Sequence, residues 1–151
     1  MVELELSYKQ FCIFNETVNN PFNDWSEVNV AQGFSIREDS ISVMTLNNDG
    51  ILKISVSTDS KIIDDANRII EFEYQVKDEN VSVATISNEM KIQIKKGLYK
   101  IRVQLCKESD ESEICYLSFL KKDSTDRLPR YLKIDNEITK SDNFELDSNP
   151  A

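Results

Sequence analysis

The sequence predicts an all-β fold: an antiparallel β-sandwich of short strands with one short helix near residues 25–32. Alternation of apolar and polar residues with period two dominates the chain, and turn signals punctuate it. A single segment, residues 23–33, breaks that alternation. The clearest run is 69–77, where Ile70, Phe72, Tyr74 and Val76 point one way and Glu71, Glu73, Gln75 and Lys77 the other, the signature of a half-buried strand.

Taken in chain order, strands are expected at 2–8 and 10–14. The segment that follows reads as the helix. Asp24 stands three residues before Glu27, the capping-box spacing, and Gly33 suits a left-handed stop after the last turn. A strand at 41–46 then leads to the turn Asn47-Asn48-Asp49-Gly50. Leu52, Ile54 and Val56 alternate with Lys53, Ser55 and Ser57 beyond it. After 69–77 come strands at 81–86 and 90–94, the latter with Met90, Ile92 and Ile94 on one face. Lys96-Gly97 turns into the run Tyr99, Ile101, Val103 and Leu105, and Ser109-Asp110 turns into 113–120; the last strand is 131–134. A barrel remains the competing topology. Residues 1–134 read as a single domain. Residues 135–151 read as an acidic tail, mobile or loosely docked, because Asp135, Glu137, Asp142, Glu145 and Asp147 face only Lys140 and few large apolar residues follow Ile138.

With 151 residues and 40% hydrophobic content, the chain can bury a core without disulfides or metals. Its start lacks a basic then apolar leader pattern, and no apolar run approaches the roughly 18–20 residues that span a bilayer. A cytoplasmic location is therefore expected. Cys12, Cys106 and Cys115 are odd in number without metal-type spacing, so reduced thiols fit better than a disulfide framework.

The absence of histidine removes the Ser-His-Asp and Cys-His routes and the usual imidazole metal ligands. The three glycines are scattered, so no phosphate-cradling loop forms. Neither catalysis, nor a cofactor, nor a metal is expected. The net charge of −9 disfavours nucleic acid and anionic lipid and favours a basic protein surface.

Four stretches carry a family resemblance. Residues 4–14, LELSYKQFCIF, hold a Ser-Tyr-x-Gln-Phe motif, and residues 23–34, NDWSEVNVAQGF, hold Asp-Trp-Ser-Glu and a Gly-aromatic end. In residues 95–106, KKGLYKIRVQLC, Gly-x-Tyr opens a strand, and residues 115–138 form the last strands. In these stretches the chain resembles the competence protein J family, inhibitors of a bacterial DNA-entry nuclease. The resemblance implies a small β-sandwich that binds a nuclease and blocks it, and it brings no catalytic residues. An immunity or antitoxin-like module against another basic toxin is the alternative from the same chemistry. A sugar- or small-ligand-binding sandwich is the alternative from another class, but the aromatics mostly fall on apolar strand faces, which counts against it.

The candidate partner-binding set is Asp64, Asp65, Asp110, Glu111 and Glu113, with Trp25, Asp24 and Glu27. Each has a plainer reading. The first five are solvated loop and hairpin charges, Trp25 packs onto the sheet, and Asp24 and Glu27 cap the helix. Loops at one end of a sandwich make common binding surfaces, which is why the set is drawn there.

Overall fold

The structure, a computed structural model, describes residues 1–151. The strands are β1 (Val2–Leu6), β2 (Gln10–Asn15), β3 (Phe34–Arg37), β4 (Ser40–Met44), β5 (Gly50–Ser57) and β6 (Arg68–Val76). After them come β7 (Asn80–Ala84), β8 (Glu89–Gln93), β9 (Gly97–Ser109), β10 (Ser112–Lys121) and β11 (Arg130–Lys133), and the helix α1 (Glu27–Gln32) lies between β2 and β3. They build a six-stranded sheet, ordered β1-β5-β10-β9-β6-β11, and a five-stranded sheet, ordered β3-β4-β2-β7-β8. Two separate sheets rather than one closed ring make this a sandwich. Pairing is antiparallel except between β5 and β10, which run parallel. The strand at 34–37 was not anticipated; it is four residues long and starts where the helix stops.

The inner faces supply one core. Phe11, Ile13, Phe34, Val43 and Val83 from the smaller sheet meet Leu52, Phe72, Ile101, Leu105 and Leu117 from the larger one. Each such side chain contributes about 1.5–3 kcal/mol by leaving water.

The outer face of the larger sheet departs from the simple alternation. Glu71, on the polar side of the 69–77 alternation, is nonetheless fully buried. It stands in register between Arg102 on β9 and Arg130 on β11. Arg102 Nε donates to one carboxylate oxygen at 2.8 Å, and Arg130 Nε donates to the other at 2.7 Å. The segment between β5 and β6 folds over this face. Arg102 Nη1 donates to the Ser60 carbonyl at 2.6 Å, and Gln104 exchanges hydrogen bonds with Lys61 and Ile63. Alternation marked these positions as polar correctly. What it cannot register is a loop lying on top of them.

The helix starts later than Asp24 predicts. Ser26 is the N-cap, its hydroxyl accepting from Asn29 N–H at 3.0 Å while the Asn29 side chain accepts from Ser26 N–H at 2.8 Å. Asp24 is exposed and Glu27 is the first helical residue, so neither caps. Gly33 stops the helix with φ of 87°, as expected.

Residues 135–151, expected to be mobile or loosely docked, lie along the body. Ile138 is buried against Gly33, and Phe144 packs on Phe34 and Tyr131 with ring centroids 5.3 and 5.7 Å away. Gln32 exchanges two hydrogen bonds with the Glu145 backbone, Ser148 N–H donates to the Ile36 carbonyl, and Asp24 N–H to that of Asn149. The tail thus bridges β11, an edge of one sheet, and β3, an edge of the other. Ile138 and Phe144 provide the apolar contacts, while Leu146 stays exposed.

Candidate functional site

The strand registers send a defined set of turns to one end of the sandwich. Leu6 pairs with Gly50, Ser112 with both Ile51 and Ser109, Gln10 with Met44, and Ala84 with Glu89. Residues 7–9, 45–49, 85–88 and 110–111 therefore share that end with α1. The run 64–67 arrives there too, because Asn67 N–H donates to the Leu105 carbonyl and its side chain accepts from Lys107 N–H. Backbone hydrogen bonds tie these turns together: Lys9 N–H donates to Asn48, Thr45 N–H to Lys9, and Ile51 N–H to Glu111. Gly50, at φ of 113°, lets the 45–49 turn approach 110–111, since a Cβ there would run into the Glu111 carbonyl.

Of the candidate residues, Asp64, Asp65, Asp110 and Glu111 are all exposed at this end. Asp49 is exposed beside them. Asp24, Trp25 and Glu27 lie at the same end on the helix approach. Lys9, Lys107 and Lys133 also stand at this end, Lys107 paired with Asp110 at 3.0 Å, and the opposite end mixes signs as well, with Lys77, Lys95, Lys96 and Lys121 among Glu38, Asp59, Glu79 and Asp123.

Glu113 is the exception among the acids. It was read as a solvated hairpin charge, but it is fully buried. Its carboxylate accepts from Asn47 N–H at 2.8 Å and from Leu46 N–H at 3.0 Å, fixing the 45–49 turn from beneath. Burial pushes its carboxyl above the ordinary 4.5, while those two N–H groups and the Arg68 and Lys9 charges pull the other way. The folded protein therefore keeps this proton to higher pH than the unfolded chain. Its contribution to stability is greatest below pH 4.5 and declines as pH rises through the raised value. Glu113→Gln removes that titration. The stability of the wild type relative to Glu113→Gln is expected to fall from below pH 4.5 to neutral pH in denaturant unfolding; a constant difference would contradict the linkage.

Trp25 neither buries completely nor caps anything. Its indole N–H donates to Gln10 Oε1 at 3.0 Å, and its ring separates two grooves. On one side a groove of about 300 Å³ runs between Tyr8, Lys9, Gln10, Val30 and Met44, with the Lys9 ammonium paired to Glu137. On the other a groove of about 420 Å³ carries the Asp24, Glu145 and Asp147 carboxylates. Tyr8 is 78% exposed, although a strand spanning 2–8 would have pointed it inward with Leu4 and Leu6. The strand ends at Leu6, and Tyr8 and Lys9 both take left-handed backbone, φ 58° and 57°. That conformation costs about 1–2 kcal/mol per non-glycine residue. Sequence reasoning missed Tyr8, Val30 and Met44. The usable signal was Tyr-Lys standing between strands with no glycine or asparagine to turn them.

The cysteines, Cys12, Cys106 and Cys115, are free and buried, and burial raises the Cys12 thiol to about 11. No His/Cys/Asp/Glu group has the arrangement of a metal site, and no helix is long and apolar enough to cross a membrane.

At this end the two-sheet sandwich presents turns, carboxylates and a partly open tryptophan. The chain belongs to the competence protein J family, whose model matches residues 3–126. Among solved structures it is similar to that of ComJ, inhibitor of the DNA degrading activity of NucA, from Bacillus subtilis. The TM-score is 0.70 at 17% identity, over 80% of this chain and 94% of that one. It is also similar to the structure described as crocagin biosynthetic gene J, with a TM-score of 0.48 at 11% identity over 78% of this chain and 94% of that one. No curated protein matches. Residues 127–151, with β11 and the bridging tail, lie beyond the stretch the family model matches.

Proposed function

We propose that this chain is a non-catalytic inhibitor of a bacterial DNA-entry nuclease, acting in the cytoplasm by placing its acidic end over the enzyme's basic DNA-binding cleft. The observation that carries the reading is the gathering of Asp64, Asp65, Asp110 and Glu111 at one end of a competence protein J sandwich. The relative described as an inhibitor of NucA's DNA-degrading activity supports the nuclease as target class. A nuclease must hold a polyanion, so its cleft is basic, and an acidic rigid end is steered into it. The net charge of −9 works against binding DNA directly.

The test is a titration. A DNA-entry nuclease from the genome that encodes this chain is assayed for DNA degradation with rising amounts of the purified protein. Activity is expected to fall to a sharp stoichiometric endpoint. Full degradation at large molar excess, with folded protein, would reject the reading.

A further inference from the structure

We propose that the two grooves flanking Trp25 form an anchor site for an arginine-bearing, extended segment of a basic protein partner. The guanidinium lies in the Asp24–Asp147 groove against the indole, and a neighbouring apolar side chain lies in the groove under Tyr8. This rests on the reading that the chain binds a basic protein and says which side chain of that partner it holds.

The site is built from both sides of the ring. Trp25 is oriented by its hydrogen bond to Gln10, so its faces are fixed before anything binds. A planar cation stacks on an indole better than on other rings, and arginine offers both the plane and the donors for carboxylates. The Asp24 and Asp147 carboxylates stand in the groove beside the ring, and neither has a salt bridge of its own. The Glu145 carboxylate there accepts from the Ser26 hydroxyl. The backbone on either side is clamped, since Asp24 N–H donates to the Asn149 carbonyl. Across the ring, Val30 is 49% exposed and Met44 only 6%, giving an apolar floor with an open wall. Tyr8 forms the lip. Its ring makes no hydrogen bond, and its backbone holds a left-handed conformation that an asparagine would adopt more readily. The aromatic ring thus stands 78% exposed over the groove, on a backbone conformation that is costly for its residue type. Of the two carboxylates, Asp24 lies inside the matched family region, while the tail that supplies Asp147 lies beyond residue 126.

The probe is the peptide acetyl-Leu-Arg-Leu-amide, titrated into the full chain and followed by the indole N–H resonance, which is unique because Trp25 is the only tryptophan. A saturable shift at Trp25, Tyr8, Val30 and Met44 is expected. Citrulline in place of arginine, neutral but of similar shape, is expected to abolish it, and lysine to weaken it about tenfold. Tyr8→Asn suits the local backbone, and the Asp24→Asn, Asp147→Asn pair keeps shape. Each is expected to weaken binding about tenfold with the folded spectrum unchanged. No saturable shift, or equal binding of the citrulline peptide, would overturn the assignment. The inhibition assay separates the two readings. A Tyr8→Asn variant that loses the peptide but inhibits with wild-type complex lifetime overturns the anchor and leaves the inhibitor standing. Peptide binding by a protein that inhibits no nuclease supports the anchor and removes the inhibitor.

Discussion

Reversing Asp64, Asp65, Asp110 and Glu111 to lysine is expected to slow association with the nuclease at least tenfold at low salt and to change dissociation far less. Steering by charge multiplies association rates by about 10 to 1,000, and it acts through the potential at the approaching surface rather than through contacts kept in the complex. Glu111 is tied to the start of β5 by the Ile51 N–H, and the 64–67 run is held to β9 through Asn67, so the field of the four residues has a fixed direction. The matched control reverses Glu38, Asp59, Glu79 and Asp123 at the opposite end, which changes net charge equally. At physiological salt, where screening confines each charge to about 8–10 Å, its effect on association is expected to be several-fold smaller than that of the first set. Equal slowing by the two sets would mean that total charge matters and that the acidic end is not the approaching face. Stopped-flow association across a salt series measures this.

Removing the Glu71 carboxylate is expected to cost about 3–5 kcal/mol of stability. Its two oxygens take one hydrogen bond each from Arg102 and Arg130, and Arg102 is itself buried under the 58–67 segment. Glu71→Leu strands that guanidinium. The penalty therefore comes less from a lost attraction than from a charge left in a dry place. Adding Arg102→Leu to Glu71→Leu is expected to recover most of the loss, since both charges then leave together. Urea unfolding of the single and double variants tests this. A double variant as unstable as the sum of the singles would show that the pair is not an isolated unit.

The apolar halves of the strands were legible because they obey period two. Ile70, Phe72, Tyr74 and Val76 all lie inward as their spacing requires. What could not be read was the cover on the polar halves. Glu71, Arg102 and Gln104 look solvated in any local window, and only the long-range return of residues 60–63 makes them interior. Glu113 was misplaced for the same reason, as its partners Leu46 and Asn47 are far away in sequence. The helix cap was misread by two residues because Asp24 and Ser26 are both good caps, and packing of the 145–149 segment decides between them. For the binding surface, the acids were visible as composition, but the meeting of 64–65 with 110–111 depends on the pairing of β6 with β9, Arg68 opposite Leu105, which alternation cannot reveal. Tyr8 was hidden because it continued an apparent strand.

The central claim, that the acidic end occupies the cleft where DNA would lie, is tested most directly by fluorescence anisotropy of a labelled DNA duplex bound to the nuclease without its divalent metal. Adding this protein is expected to release the DNA completely, with an apparent affinity that weakens in proportion to the DNA concentration. Full inhibition of cleavage with the duplex still bound in a ternary complex would contradict it.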